Sequence, residues 1–288
     1  MEHVADRLAG AIDRVGVPVC VGLDPVPEKL PPEVRGGHWE PARAVEAFCE
    51  GVVDAVAGLA AAVKPQSACF EHLGAVGMGV LERVCARARG RGLFVVLDAK
   101  RGDIGISAEH YAAWARHTGA DAITVNGYLG METVEPYLAV GLGVFVLVRT
   151  SNPGGDAFQG ARLSDGRTIA ELMGDHVHAF GEGRRGVRGL SDVGAVVGAT
   201  KGGEGRALRG RMAHQCILIP GYGAQGGTPS DVALLARPGA RAPGDLGVLV
   251  NASRSVIYAP ARDGSWSAGV AHAARAMGEE LRGVLRVR

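Results

Sequence analysis

Asp98-Ala99-Lys100-Arg101-Gly102-Asp103 follows the apolar run Leu93-Phe94-Val95-Val96-Leu97, so two carboxylates and an ammonium group gather at the end of what reads as a buried strand. Strand side chains alternate between faces, which puts Asp98 and Lys100 on one side if the strand extends through them. Asp103 then falls beyond the strand, where the chain turns. Three charges this close call for a polar task or an exposed surface. A D-x-K triplet is also met as a solvated ion pair of little energetic weight, so the functional reading depends on what else reaches the same place.

Lysine usage narrows the choice. Of 31 basic residues only four are lysines, Lys29, Lys64, Lys100 and Lys201. A coding preference for arginine accounts for the trend, yet a lysine can give up a proton in a tuned site and a guanidinium cannot. Lys64 and Lys100 both end apolar strand-like runs and are candidates for chemistry.

The elements that must position these groups recur along the chain. Strand-length apolar runs cover residues 18–23, 60–64, 93–98, 122–125, 144–148, 193–197, 216–219 and 247–250. Helical patterns lie between them, including 41–59, where Ala44, Val45, Phe48, Val52, Val53 and Val56 share a face, 76–88, and 107–117, with Ser107 as its expected start. Eight Val-, Ile- and Leu-rich strands, each followed by a helix, predict a (β/α)8 TIM barrel occupying residues 1–288 as one domain. A doubly wound open sheet is the alternative, but no G-x-G-x-x-G follows the first strand.

The C-terminal strand ends of such a barrel carry the active site. Asp24, Lys64, Asp98 with Lys100, Asn126 and Arg149 to Asn152 close the first five strands. Pro220-Gly221-Tyr222-Gly223-Ala224-Gln225-Gly226-Gly227 follows the seventh and Asn251-Ala252-Ser253-Arg254 the eighth. Glycines that bring backbone N–H groups close and an arginine that binds bidentately predict a phosphate site there, hence a phosphorylated substrate. Residues 151–167 form a long loop on this face, a candidate lid. Residues 181–190 and 237–246 run from helix to strand on the opposite face and read as connections, with the arginines between 183 and 188 solvated.

Composition excludes several classes. A chain of 288 residues, 47% apolar and 21% charged, buries a large core, and a net charge of +1 gives no case for a nucleic-acid partner. No stretch is long and apolar enough for a membrane span, and the N-terminus lacks the layout of a signal peptide, so the expected location is cytoplasmic. Five cysteines, Cys20, Cys49, Cys69, Cys85 and Cys216, form no C-x-x-C pair and read as reduced core residues. The histidines lack metal-ligand spacing, and His176 and His178 point to different sides of a helix, so no metal is expected.

The ordered set of motifs resembles the orotidine 5′-phosphate decarboxylase family, in its subgroup of longer bacterial chains. It runs from Val21-Gly22-Leu23-Asp24-Pro25 through Val63-Lys64-Pro65-Gln66, residues 97–105, Arg149-Thr150-Ser151-Asn152-Pro153-Gly154 and residues 220–227 to Asn251-Ala252-Ser253-Arg254. D-x-K-x-x-D alone is shared with other phosphosugar barrels; the whole set is far more specific. The resemblance implies a cofactor-free decarboxylation of orotidine 5′-phosphate to uridine 5′-phosphate, the last step of de novo pyrimidine nucleotide synthesis. It implies that Lys64, Asp98, Lys100 and Asp103 form a charged tetrad, that Lys100 protonates C6, and that Asp103 is donated across a homodimer. Asp24 and Lys64 would hold the ribose hydroxyls, Ser151 the pyrimidine edge, Gln225 both base and phosphate, and Arg254 the phosphate, with Gly226 and Ser253 also among the substrate-binding residues. Ile104 and Ser107 would reach the neighbouring site.

Two positions depart from the family pattern. Gly127 stands where a proline is usual, and is expected to loosen a turn; Ser107 stands for a threonine and keeps the hydroxyl. Two other functions fit the barrel less well. A magnesium-dependent phosphosugar enzyme would need a carboxylate at the end of the second strand, where the chain has Lys64-Pro65-Gln66. A non-catalytic nucleotide-binding barrel would readily have lost a member of the tetrad.

Overall fold

Eight parallel strands hydrogen-bond in sequence order and close on themselves, β1 (Val19–Leu23) pairing with both β2 (Ala62–Pro65) and β8 (Val248–Ala252). Between them come β3 (Phe94–Arg101), β4 (Ala122–Val125), β5 (Gly143–Arg149), β6 (Ser191–Val197) and β7 (Gln215–Ile219). This is the (β/α)8 TIM barrel expected from the apolar runs. The computed structural model describes residues 2–36, 40–223 and 226–287.

The helices follow the predicted alternation. They are α1 (Val4–Val15), α2 (Pro41–Val56), α3 (Gly74–Gly90), α4 (Gly105–His117), α5 (Glu135–Ala139), α6 (Ile169–Gly181), α7 (Gly202–Arg211), α8 (Pro229–Leu235) and α9 (Trp266–Val284), with shorter turns between. Proline at the first turn starts α2 and α8, where the missing N–H is not needed. Thr168 with Glu171, and Thr228 with Asp231, form reciprocal capping boxes that fix where α6 and α8 begin. Ser107 does not start α4. The helix opens two residues earlier, with Ile104 in the N-cap position and no side-chain cap, so Ser107 lies inside its first turn. Among the described residues no helix is long and apolar enough to cross a membrane.

Period-two alternation divides the strand residues into two cores. Outward Val19, Val21, Leu23, Val95, Leu97, Ile123, Val144 and Val146 pack under the helices. Inward Cys20, Ala62, Phe94, Val96, Ala122, Phe145, Val196, Cys216, Leu218 and Leu249 fill the barrel, and Leu8, Ala11 and Ile12 of α1 close its N-terminal end. Two residues further along each strand, the same inward series reaches the open end as Gly22, Lys64, Asp98, Thr124, Leu147, Pro220 and Asn251. The apolar layer is thus the floor on which a polar layer stands.

The loops at the closed end are bound more firmly than solvated connections. Asp6 accepts hydrogen bonds from the backbone N–H groups of Val187 (2.9 Å) and Arg188 (3.0 Å), and Arg188 pairs with Asp13 and Asp245. Arg184 pairs with Asp192 at 3.1 Å. These arginines tie α1 and neighbouring loops together, because carboxylates from other segments converge on them. The five cysteines are free thiols; Cys69 alone is partly exposed.

Candidate active site

A cavity of about 430 Å³ opens at the C-terminal end of the barrel. Asp24, Lys64, Asp98, Lys100, Ser151, Ser253 and Arg254 all line it, contributed by β1, β2, β3, the loop after β5 and the end of β8. Residues more than two hundred positions apart in the chain meet here, as the strand-end argument required.

The charged centre is a chain of close pairs. Lys64 Nζ lies 2.5 Å from Asp98 Oδ2, and Lys100 Nζ lies 2.6 Å from Asp98 Oδ1. Lys64 and Asp98 are almost wholly buried, whereas 46% of the Lys100 side chain is exposed. The inner ammonium is therefore fixed, and the outer one faces the cavity. Burial alone would raise the Asp98 carboxyl, but Lys64 and Lys100 outweigh it and hold the group well below the usual carboxylate range. Burial likewise opposes the charge on Lys64, and Asp98 and Asp24 more than offset it, so its ammonium persists well above the ordinary lysine value. Beneath them the buried Cys20 thiol is pushed up to about 12 by desolvation and stays protonated.

Asp24 continues the inward series of β1 and has one oxygen buried with no hydrogen-bond partner. Asp24 also lines the cavity. Gly22, one turn of the pleat below, leaves room for Ser253: a Cβ at Gly22 would stand 2.0 Å from Ser253 Oγ. Gly221, Gly223 and Gly226, in the loop after β7, have φ of 87°, 68° and 90°, conformations that only glycine adopts without strain. The glycine run therefore shapes that loop's backbone. Gly226 is exposed and does not line the cavity, and Gln225 lies outside the described residues.

Three expected residues stand apart. Asp103, Ile104 and Ser107 do not line the cavity of their own chain. Asp103 Oδ1 instead accepts from the Ile104 backbone N–H at 2.9 Å. Two strand-end candidates also fall away. Asn126 is exposed and accepts from the Tyr128 N–H at 3.0 Å, capping a short helical turn. Arg149 is buried but leaves the inward series where the β5–β6 register shifts between Leu147 and Arg149. Its guanidinium binds Glu204 and Asp156, each at 2.8 Å, and Asp156 also binds Lys201. This network, with Gln159 accepting from the Thr150 N–H at 2.8 Å, pins the start of the 151–167 segment beside the cavity.

Gly127 stands in a closely packed place. A Cβ there would lie 2.9 Å from Val146 Cγ1 and 3.2 Å from Met173 Sδ, so the residue is small because its surroundings are full. The cavity also contains groups not foreseen as site residues. Gln66, Thr124, Tyr222 and Asn251 are polar; Leu147, Val196 and Leu218 make an apolar wall. Thr124 is the lone hydroxyl in the run Ala122-Ile123-Thr124-Val125, and Asn251 precedes Ser253 by one strand period. Those were the available signals.

Residues 17–267 match the family described as "Orotidine 5'-phosphate decarboxylase / HUMPS family". Orotidine 5′-phosphate decarboxylase of Rhodopirellula baltica is 40% identical over 98% of this chain and 100% of its own length. The enzyme of that name from Verminephrobacter eiseniae is 42% identical over 99% of this chain and 98% of its own. Among solved structures, Leishmania donovani OMP decarboxylase superposes with a TM-score of 0.79 at 30% identity, covering 98% of both chains.

Proposed function

The chain belongs to the orotidine 5′-phosphate decarboxylase family and converts orotidine 5′-phosphate to uridine 5′-phosphate and carbon dioxide in pyrimidine nucleotide synthesis, and we propose that Lys100 is the acid of that reaction. The carrying observation is the Lys64–Asp98–Lys100 chain, which leaves one ammonium facing the cavity and locks the other in the wall.

The chemistry follows from this charge order. The bond from C6 to the carboxylate carbon breaks, carbon dioxide leaves, and the electron pair stays at C6 with little delocalisation. A preorganised cation beside that carbon stabilises the developing charge, and the same Lys100 ammonium supplies the proton that forms the C6–H bond. Solvent returns a proton to the amine. Asp98 keeps the ammonium oriented, and its negative charge also crowds the departing carboxylate.

In this reading Asp24 and Lys64 hold the ribose hydroxyls, Ser151 reads the pyrimidine edge, Gln225 bridges base and phosphate, Arg254 grips the phosphate, and Ser253 contacts the substrate beside it. Phosphate contacts far from C6 help close the site around the base, so binding there lowers the barrier at the reacting carbon. Residues 1–288 act as a single barrel domain.

The fourth charge comes from a second copy of the chain. Asp103 does not line its own cavity, and the segment that follows it exposes two large apolar side chains, Ile104 at 62% and Ile106 at 67%. Such a patch favours burial against another subunit. A homodimer would carry Asp103, Ile104 and Ser107 into the partner's site.

The direct test follows the absorbance of orotidine 5′-phosphate with purified protein, with and without a chelator. Conversion insensitive to the chelator is expected. Turnover of phosphosugars that depends on added magnesium, with no loss of orotidine 5′-phosphate, would overturn the reading.

A further inference from the structure

Lys100 is one of two non-glycine residues with positive φ among the described residues, at 48°. For a side chain larger than glycine's this left-handed conformation costs on the order of 1–2 kcal/mol, so something must hold it. The β3–β4 ladder cannot do so, because its register shifts between Leu97 and Arg101. The backbone N–H of Lys100 instead donates to Thr124 Oγ1 at 2.9 Å.

The same hydroxyl has a second bond. Thr124 Oγ1 donates to Asp98 Oδ1 at 2.9 Å, the oxygen that also receives Lys100 Nζ at 2.6 Å. Thr124 is 1% exposed and sits in the inward layer that lines the cavity. A single hydroxyl thus fixes the Lys100 backbone by accepting and its carboxylate partner by donating. Valine, the isosteric alternative in an apolar strand, would do neither.

We infer that Thr124 is a positioning residue for the decarboxylation, holding Lys100 in its left-handed conformation and Asp98 in the orientation that aims the Lys100 ammonium into the cavity. The inference rests on the reading of Lys100 as the proton donor. It adds the strand β4 contribution that the charged tetrad alone leaves out. A misplaced reacting group lowers turnover more than it lowers ground-state binding.

The test compares Thr124→Val, Thr124→Ser and Lys100→Ala in steady-state turnover of orotidine 5′-phosphate, with thermal unfolding of each. Thr124→Val is expected to lower kcat at least tenfold with KM changed less than threefold. Thr124→Ser, which keeps the hydroxyl, is expected to restore kcat to within threefold of the parent. Thr124→Ala serves in place of the valine variant if valine prevents folding. Undiminished kcat in the valine variant, or equal impairment of valine and serine variants, overturns the positioning role while Lys100→Ala remains inactive. Full turnover by Lys100→Ala would instead remove the proton-donor reading and the inference together.

Discussion

Lys64 Nζ sits 2.5 Å from Asp98 Oδ2 with both side chains withdrawn from water, while the other Asp98 oxygen serves Lys100. Asp98 and Asp24 balance the two ammonium groups, and of these Lys100 is the cation half exposed to the cavity, where it can stabilise a transition state with negative charge at carbon. Keeping Lys64 in the wall has an energetic consequence as well: its removal would leave the buried carboxylate with a single cationic partner that is itself half exposed.

Lys64→Met should therefore destabilise the fold by about 3 kcal/mol, at the low end for breaking a buried pair because Lys100 remains. Denaturant unfolding at neutral pH measures this directly. A variant as stable as the parent would show that the pair is not the anchor its burial indicates.

The pH dependence of the same pair has a defined sign. Asp98 is lowered relative to the unfolded chain, so its contribution is complete above about pH 4 and is lost as the pH falls through its folded value. Lys64 is raised, so its contribution is complete below about pH 10.4 and is lost as pH rises through its folded value. Between about pH 5 and 9 neither group should change stability. Thermal unfolding across that range checks this; a step near neutrality that disappears in Asp98→Asn would contradict it.

At Gly22 the constraint is space rather than charge. A Cβ would collide with Ser253 Oγ and approach Asn251 Nδ2 at 3.3 Å, and both of those side chains line the cavity. Gly22→Ala is expected to displace Ser253 and with it the neighbouring Arg254, raising KM for the nucleotide several-fold. Overpacking of this kind costs about 1–3 kcal/mol, so a stability measurement must accompany the kinetics. Unchanged KM with unchanged stability would mean that the Ser253 contact is dispensable.

The barrel was legible because strands buried on both faces lose polar alternation, and because the charged ends of β1, β2 and β3 continue the inward series without a break. The exceptions arise where that series is interrupted. Arg149 follows a register shift, and its charge is drawn to Glu204 and Asp156, acids that strand periodicity does not reveal. Asn126 keeps strand spacing but finds a nearer task in capping the Tyr128 N–H. Thr124 was missed for the opposite reason: threonine is an ordinary strand residue, and its two hydrogen bonds lie where the β3–β4 register shifts, which no local pattern shows. Gly127 has a packing role that sequence does not show, since the side chains that crowd it come from β5 and α6.

Arg254 opens a short helix at the cavity rim, exposed and available to an anion. Arg254→Ala should weaken productive binding of orotidine 5′-phosphate by roughly 1.5–3 kcal/mol, the range for a hydrogen bond to a charged group, or about 10- to 160-fold in kcat/KM. The nucleoside orotidine, which lacks the phosphate, should lose little. Equal losses with both substrates would point to a damaged fold and not to a phosphate contact.

Asp103 supplies the most discriminating experiment, because its place in the reaction depends on assembly. Within one chain it bonds the next residue's N–H and does not reach the cavity. Lys100→Ala and Asp103→Ala should each be inactive alone, the first lacking the acid and the second lacking the charge donated to the neighbour. In a heterodimer of the two, one site combines Lys100 from the Asp103→Ala chain with Asp103 from the Lys100→Ala chain, and the other site has neither. Equal mixing under conditions that allow subunit exchange should therefore recover about a quarter of the parent activity, half of the dimers being mixed with one intact site each. Activity that stays at the level of the separate variants, with exchange confirmed by differently tagged chains, would place Asp103 outside the site. Recovery that exceeds half would also contradict the shared arrangement, since no distribution of such dimers contains that many complete sites.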